Sequence, residues 1–265
     1  MKSAELAIFL ILILLASVAW LGAAGLYWTG FRVFGPRRHR AVPWTISEVT
    51  LIAPLVAGGV WRGLMTHEEA EHSVGLALLS QLALVSVVSL PFLVLFVRGG
   101  RAYQMGLHAS HWGRNVVAGL GSYLLAAPLV AITNLLALQF YHRNPHSIEL
   151  AIRESPTISN ILLSSLGAVV LFPFVEELVF RGILQPWLRK QLGTGNSILL
   201  CSGIFAIAHA DAWPAPLALF VLALFLGYLA ERSTSLVGPV VLHATFNGTN
   251  MAVLVIAILT NSLPD

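Results

Sequence analysis

The 265-residue sequence predicts an all-α, polytopic helical membrane protein with about eight transmembrane helices, and three observations carry that expectation. The composition is 57% hydrophobic and 10% charged, with a mean hydropathy of +0.81, more apolar than a soluble core requires. The apolar residues fall in long runs and show no barrel-type alternation. The basic residues sort to one side of those runs, as the positive-inside rule demands.

Five runs approach or exceed the roughly 20 residues needed to span a bilayer: Leu6 to Trp28, Val74 to Val97, Val116 to Phe140, Ile158 to Phe180 and Leu236 to Thr260. Three shorter ones, Ile46 to Leu64, Asn196 to His209 and Pro214 to Ala230, are ambiguous by length alone. Charge resolves them. If all of them cross, the loops on one side hold Arg32, Arg37, Arg38, Arg40, Arg98, Arg101, Arg114, Arg181, Arg189, Lys190 and Arg232, leaving Lys2, Arg62, Arg143 and Arg153 opposite. This sorting predicts an integral protein of the cell (plasma) membrane with both termini outside. Omitting the Ile46 run would put Arg98, Arg101 and Arg114 on the wrong side, so it counts as a span despite Glu48, Gly58 and Gly59.

Lys2, the apolar run and Ser17-Val18-Ala19 have the look of a cleavable signal peptide. The run continues to Trp28, however, and ends in Arg37-Arg38-His39-Arg40, as a retained anchor does. No repeat, low-complexity tract or long linker divides the chain. The expected organisation is a single membrane domain, with motif-free transmembrane helices over 1–150 and a catalytic core over 151–265. The polar, turn-rich stretch from Tyr141 to Thr157 reads as a solvated loop over the outer face.

Composition also excludes classes. The basic residues lie in short juxtamembrane loops and form no aromatic-interleaved stripe, so no nucleic-acid partner is expected; the bilayer itself is the partner. A single cysteine, Cys201, rules out an intramolecular disulfide and a CxxC site, and its apolar surroundings read as packing. His67 to His72 imitates a zinc motif, but HExxH needs a second histidine at i+4, where Glu71 stands.

Chemistry concentrates in the second half. Glu176, Glu177 and Arg181 lie in an apolar run, and an ionisable residue at membrane depth costs about 2.5–3.5 kcal/mol to insert, which makes such a cluster a functional site by default. Helical i,i+4 spacing pairs Glu177 with Arg181 as a buried structural ion pair and turns Glu176 away, with no basic partner at i+3 or i+4. The same spacing aligns Phe205 with His209, and His243 with Asn247. Taken singly, each of these side chains is more often interhelical hydrogen-bonding glue. Together, on three consecutive membrane stretches, they make a site.

The ordered set Glu176-Glu177-x-x-x-Arg181, Phe205-x-x-x-His209 and His243-x-x-x-Asn247 resembles the three-motif signature of the CPBP family of intramembrane proteases, also called CAAX prenyl protease and bacteriocin-processing or Abi proteins. The resemblance runs from roughly Leu166 to Ile258 and includes Gly182 and Gly227-Tyr228. It implies an endopeptidase acting on a membrane-associated peptide or protein, prenylated CAAX chains being one such class. By the same resemblance, Glu176 and His209 activate water while His243 and Asn247 stabilise the oxyanion. That division of labour is chemically sound, since a base beside a histidine can deprotonate water and N–H donors can meet the developing charge.

A metal stays open at this level. Glu176, His209 and His243 could supply three ligands to a divalent ion such as zinc, although a glutamate-activated water needs none, and the dispersed donors favour the metal-free route. Two other function classes compete: a proton-coupled transporter using the same residues as a relay, which inverted repeats would favour, and a non-catalytic scaffold or immunity protein. Depth poses a difficulty for the protease. Counted from Ile158, Glu176 lies about 27 Å along a straight helix, whereas His209 falls toward the outer end of its own stretch. A break at Pro173, and helix continuing through Arg181 toward Trp187, would place Glu176 nearer the middle.

Overall fold

The computed structural model describes residues 41–65, 74–97, 99–142 and 147–260, together with parts of 13–29. The first expected span, Leu6 to Trp28, lies largely outside these, and His67 to His72 lies entirely outside. The described residues are helical throughout, with no strand among them.

Among the described residues from 41 onward, ten α-helical segments follow in order: α1 (Ile46–Val49), α2 (Ala53–Gly63), α3 (Val74–Phe92), α4 (Trp112–Phe140), α5 (Ser147–Glu154), α6 (Ile158–Leu166), α7 (Phe172–Glu177), α8 (Gln185–Ile207), α9 (Ala215–Ser233) and α10 (Val237–Leu259). Four stretches of the described chain are long and apolar enough to cross a membrane: Trp112–Phe140, Ile158–Ile207, Ala215–Ser233 and Val237–Ile258. The Ile46 run is not one of them. Its helix is broken by a 3-10 turn at Thr50–Ile52, and Glu48 folds back to accept from the Thr45 backbone N–H at 2.7 Å, an N-terminal capping arrangement.

The 50-residue stretch Ile158–Ile207 holds the solution to the depth problem. Helix continues from α6 through Pro173, Glu176 and Arg181 into α8, so the expected continuation toward Trp187 is present and the expected break at Pro173 is not. A π-turn at Gly167–Leu171 precedes the proline and a second, Leu178–Leu184, follows the glutamates, so the helix absorbs the local mismatch without stopping. The chain reverses at Gly193, whose φ of 77° belongs to the left-handed region that glycine enters without penalty. Gly193 stands almost midway between Glu176 and His209 in sequence, so the antiparallel arms bring those two residues level. Cys201 seals this hairpin, donating to the Phe180 carbonyl at 3.4 Å from a fully buried position.

Extending the helix moves charges that loop bookkeeping had put in water. Arg181 is 1% exposed inside the protein. Arg189 pairs with the buried Glu231 of α9 at 3.1 Å, and Gln185 donates to the same carboxylate at 3.1 Å, tying α8 to α9. The expected outer loop is also corrected: Ser147–Glu154 is an amphipathic helix whose Ile152 is fully buried against Ala168 and Met251. Its Glu149 is buried too, bonded to Arg153 at 2.6 Å.

Two apolar clusters frame the hairpin. One gathers Trp44, Leu90 and Met105 around Phe180, Ile183 and Phe205, so first-half segments pack directly on the glutamate helix. The other joins α4 (Tyr123, Ala126, Val130) to α9 and α10 through Leu222, Leu226 and Leu242. Helix α2 reaches the second arm by backbone contact. A Cβ on Gly59 would stand 2.0 Å from the Ala208 carbonyl oxygen, and one on Gly63 would stand 2.5 Å from that of Ala210. Only glycine allows that approach.

Candidate active site

Four elements converge on one point. The glutamate helix supplies Glu176, Glu177 and Arg181; the end of α8 supplies Phe205 and, one turn on, His209; α10 supplies His243 and Asn247. Helix α2 supplies no polar group but abuts the backbone on both sides of His209 through its glycines.

Glu177 and Arg181 form the expected i,i+4 ion pair at 2.9 Å, with both side chains inaccessible. Arg181 Nη2 also donates to the Ala223 carbonyl at 3.3 Å. A third partner was not visible in the sequence: His243 Nδ1 stands 3.0 Å from the same Glu177 oxygen. Against a carboxylate this nitrogen must be the donor, so the contact fixes the ring and turns Nε2 the other way.

That way is toward Glu176. His243 Nε2 lies 3.7 Å from Glu176 Oε2, and His209 Nε2 lies 3.8 Å from Glu176 Oε1. His209 is aimed by the same device, its Nδ1 donating to the Phe205 carbonyl at 2.8 Å. Both separations exceed a direct hydrogen bond yet allow one water to touch the carboxylate and a ring. Glu176 and His209 retain 26% and 23% side-chain exposure, so a small molecule can reach them.

Phe205 organises this chemistry without taking part in it. Its buried ring lies 4.6 Å from the Arg181 guanidinium carbon, 4.6 Å from the His209 ring and 5.8 Å from the His243 ring. An arginine held over an aromatic face is stabilised where water cannot reach it. The Phe-x-x-x-His spacing was the only sequence signal of this role.

Asn247 is placed differently from its neighbours. It lies one turn beyond His243, and its Nδ2 donates to the Ala168 carbonyl at 2.8 Å. As for a metal, no group of three His, Cys, Asp or Glu residues is disposed to hold an ion among the described residues. Of the donors suggested by the sequence, the Glu176 carboxylate faces His209 Nε2 at 3.8 Å and His243 Nε2 at 3.7 Å, and no step of the chemistry below passes through a metal.

No curated protein and no solved structure matches the chain. The Rce1-like family model, that of type II CAAX prenyl endopeptidases, matches residues 158–249. This segment contains every polar group just described, from the glutamates to Asn247, in the order the motif resemblance predicts. Over residues 158–249, about a third of the chain, the protein is thus similar to the type II CAAX prenyl endopeptidases of the Rce1-like family.

Proposed function

We propose that this chain is an intramembrane endopeptidase that hydrolyses a peptide bond in a membrane-associated peptide or protein by means of water activated at Glu176 and His209. The observation that carries the reading is the accessible Glu176 carboxylate facing two histidine Nε2 atoms at 3.7 and 3.8 Å. Glu176 takes a proton from water while His209 orients it, and the oxygen attacks the scissile carbonyl. His243, held from behind by Glu177, is the donor that meets the oxyanion when its Nε2 carries a proton. Collapse of the tetrahedral intermediate breaks the C–N bond, and the proton held at Glu176 passes to the leaving amine. No protein nucleophile is required.

The substrate class follows the family segment: a chain delivered at the membrane surface, prenylated CAAX peptides among them. The membrane is taken to be the plasma membrane with both termini outside, on the strength of the sequence distribution of basic residues between the loops, Arg181 left out of the count. The test is cleavage of membrane-anchored reporter peptides, prenylated and unprenylated, by purified protein in liposomes. Wild-type cleavage that Glu176→Gln abolishes supports the reading. A Glu176→Gln protein that cleaves as well as wild type overturns it.

A further inference from the structure

Asn247 belongs to the expected catalytic set, yet one of the two N–H groups of its amide is given to a backbone carbonyl of the glutamate helix. The identity of that carbonyl explains why. In the π-turn Gly167–Leu171 the Phe172 N–H bonds the Gly167 carbonyl, five residues back. The next pair in that register would join the N–H of residue 173 to the Ala168 carbonyl. Residue 173 is Pro173, which has no N–H. The carbonyl it orphans is the one Asn247 Nδ2 reaches at 2.8 Å, in a setting where Ala168 is only 8% exposed.

The register matters because it sets where Glu176 points. If the turn tightened to α geometry, the Phe172 N–H would take the Ala168 carbonyl and everything downstream would rotate by about 100° relative to α6. Asn247 satisfies that carbonyl and so removes the cost that the π register would otherwise carry, a buried carbonyl without a donor. The helix α10 thus grips the glutamate helix on either side of Glu176, through Asn247 at Ala168 and through His243 at Glu177.

We infer that Asn247 is a positioning residue: it substitutes for the N–H that Pro173 lacks and so holds the π-turn that aims Glu176. The inference rests on the proposed hydrolysis for its rate effect, while its effect on stability is independent of any activity.

A double-mutant cycle between Asn247→Ala and Pro173→Ala tests it, with both reporter cleavage and melting temperature measured in detergent. In the Pro173 background, Asn247→Ala is expected to lower cleavage about 100-fold, the scale of a misplaced catalytic group, and the melting temperature by about 2–4 °C. In the Pro173→Ala background, residue 173 regains an N–H for the Ala168 carbonyl. There the same substitution is expected to cost less than about tenfold in rate and less than about 1 °C. An equal rate cost in both backgrounds overturns the inference and returns Asn247 to the oxyanion, whatever happens to the melting temperature. If wild type cleaves no reporter, the proposed hydrolysis fails, and the melting temperatures alone decide whether Asn247 and Pro173 are coupled.

Discussion

The half of the site built from Glu177, Arg181 and the Nδ1 edge of His243 is closed to its surroundings, each contact to the Glu177 carboxylate at 2.9 to 3.0 Å with no side-chain exposure above 3%. The half built from Glu176 and His209 is looser, with contacts of 3.7 to 3.8 Å and about a quarter of each side chain open. Two glutamates adjacent in the chain therefore do opposite things. The sealed one fixes geometry, and the open one keeps its lone pairs for a reactant. The contrast shows how a membrane helix can carry three ionisable residues: charge that must stay buried is paired, and only charge with work to do is left accessible.

The comparison is broken most directly at its open half. Glu176→Gln is expected to reduce reporter cleavage by about 1000-fold while shifting stability by less than about 1 kcal/mol, since the side chain makes no tight contact. A large fall in melting temperature would put Glu176 on the structural side. At the sealed half the pattern inverts. Arg181→Ala leaves Glu177 buried without its cation and is expected to destabilise the fold by about 3–5 kcal/mol, read as a drop in detergent melting temperature. Unchanged melting would show that the pair stabilises nothing.

A smaller effect is expected where the open half is propped by backbone. Gly59→Leu must displace the Ala208 carbonyl, at an overpacking cost of about 1–3 kcal/mol, and cleavage should fall about tenfold through displacement of His209. Full activity would mean His209 is held from α8 alone. Chelation is expected to have the smallest effect. Cleavage should be unchanged by a strong chelator, because water activated at Glu176 and His209 needs no metal, and loss of activity restored by added zinc would replace the glutamate route with a metal one.

Much of this architecture could be read from local pattern. The i,i+4 rule found the Glu177–Arg181 pair and separated Glu176 from it, because both facts depend only on helix geometry. What escaped was set by long-range packing or by backbone chemistry. The approach of His243 to Glu177 joins residues distant in sequence, and nothing at either position announces it. The helical stretch Ser147–Glu154 was misread because two prolines and four charges suggest a loop, whereas Ile148 and Ile152, one turn apart, were the sign of a buried face. Pro173 was taken as a helix breaker because the rule concerns α-helices, and a preceding π-turn with an external donor evades it. The count of spans was legible only as far as length and hydropathy allow. Ile46 to Leu64 was counted by a charge argument resting on Arg98, Arg101 and Arg114, and it is not among the four described stretches long and apolar enough to cross.

The seam of Gly59 and Gly63 has a consequence for anyone hoping to transplant this chemistry. All the polar groups lie within residues 158–249, and it would be natural to treat that segment as a portable cassette. Yet the backbone on either side of His209 rests against a helix from the first half, at distances that tolerate no side chain. A chimera carrying only the cassette would inherit the reactive groups without the abutment that keeps one of them in line. Any recipient scaffold must therefore offer a helix bare of side chains at two successive turns, facing Ala208 and Ala210.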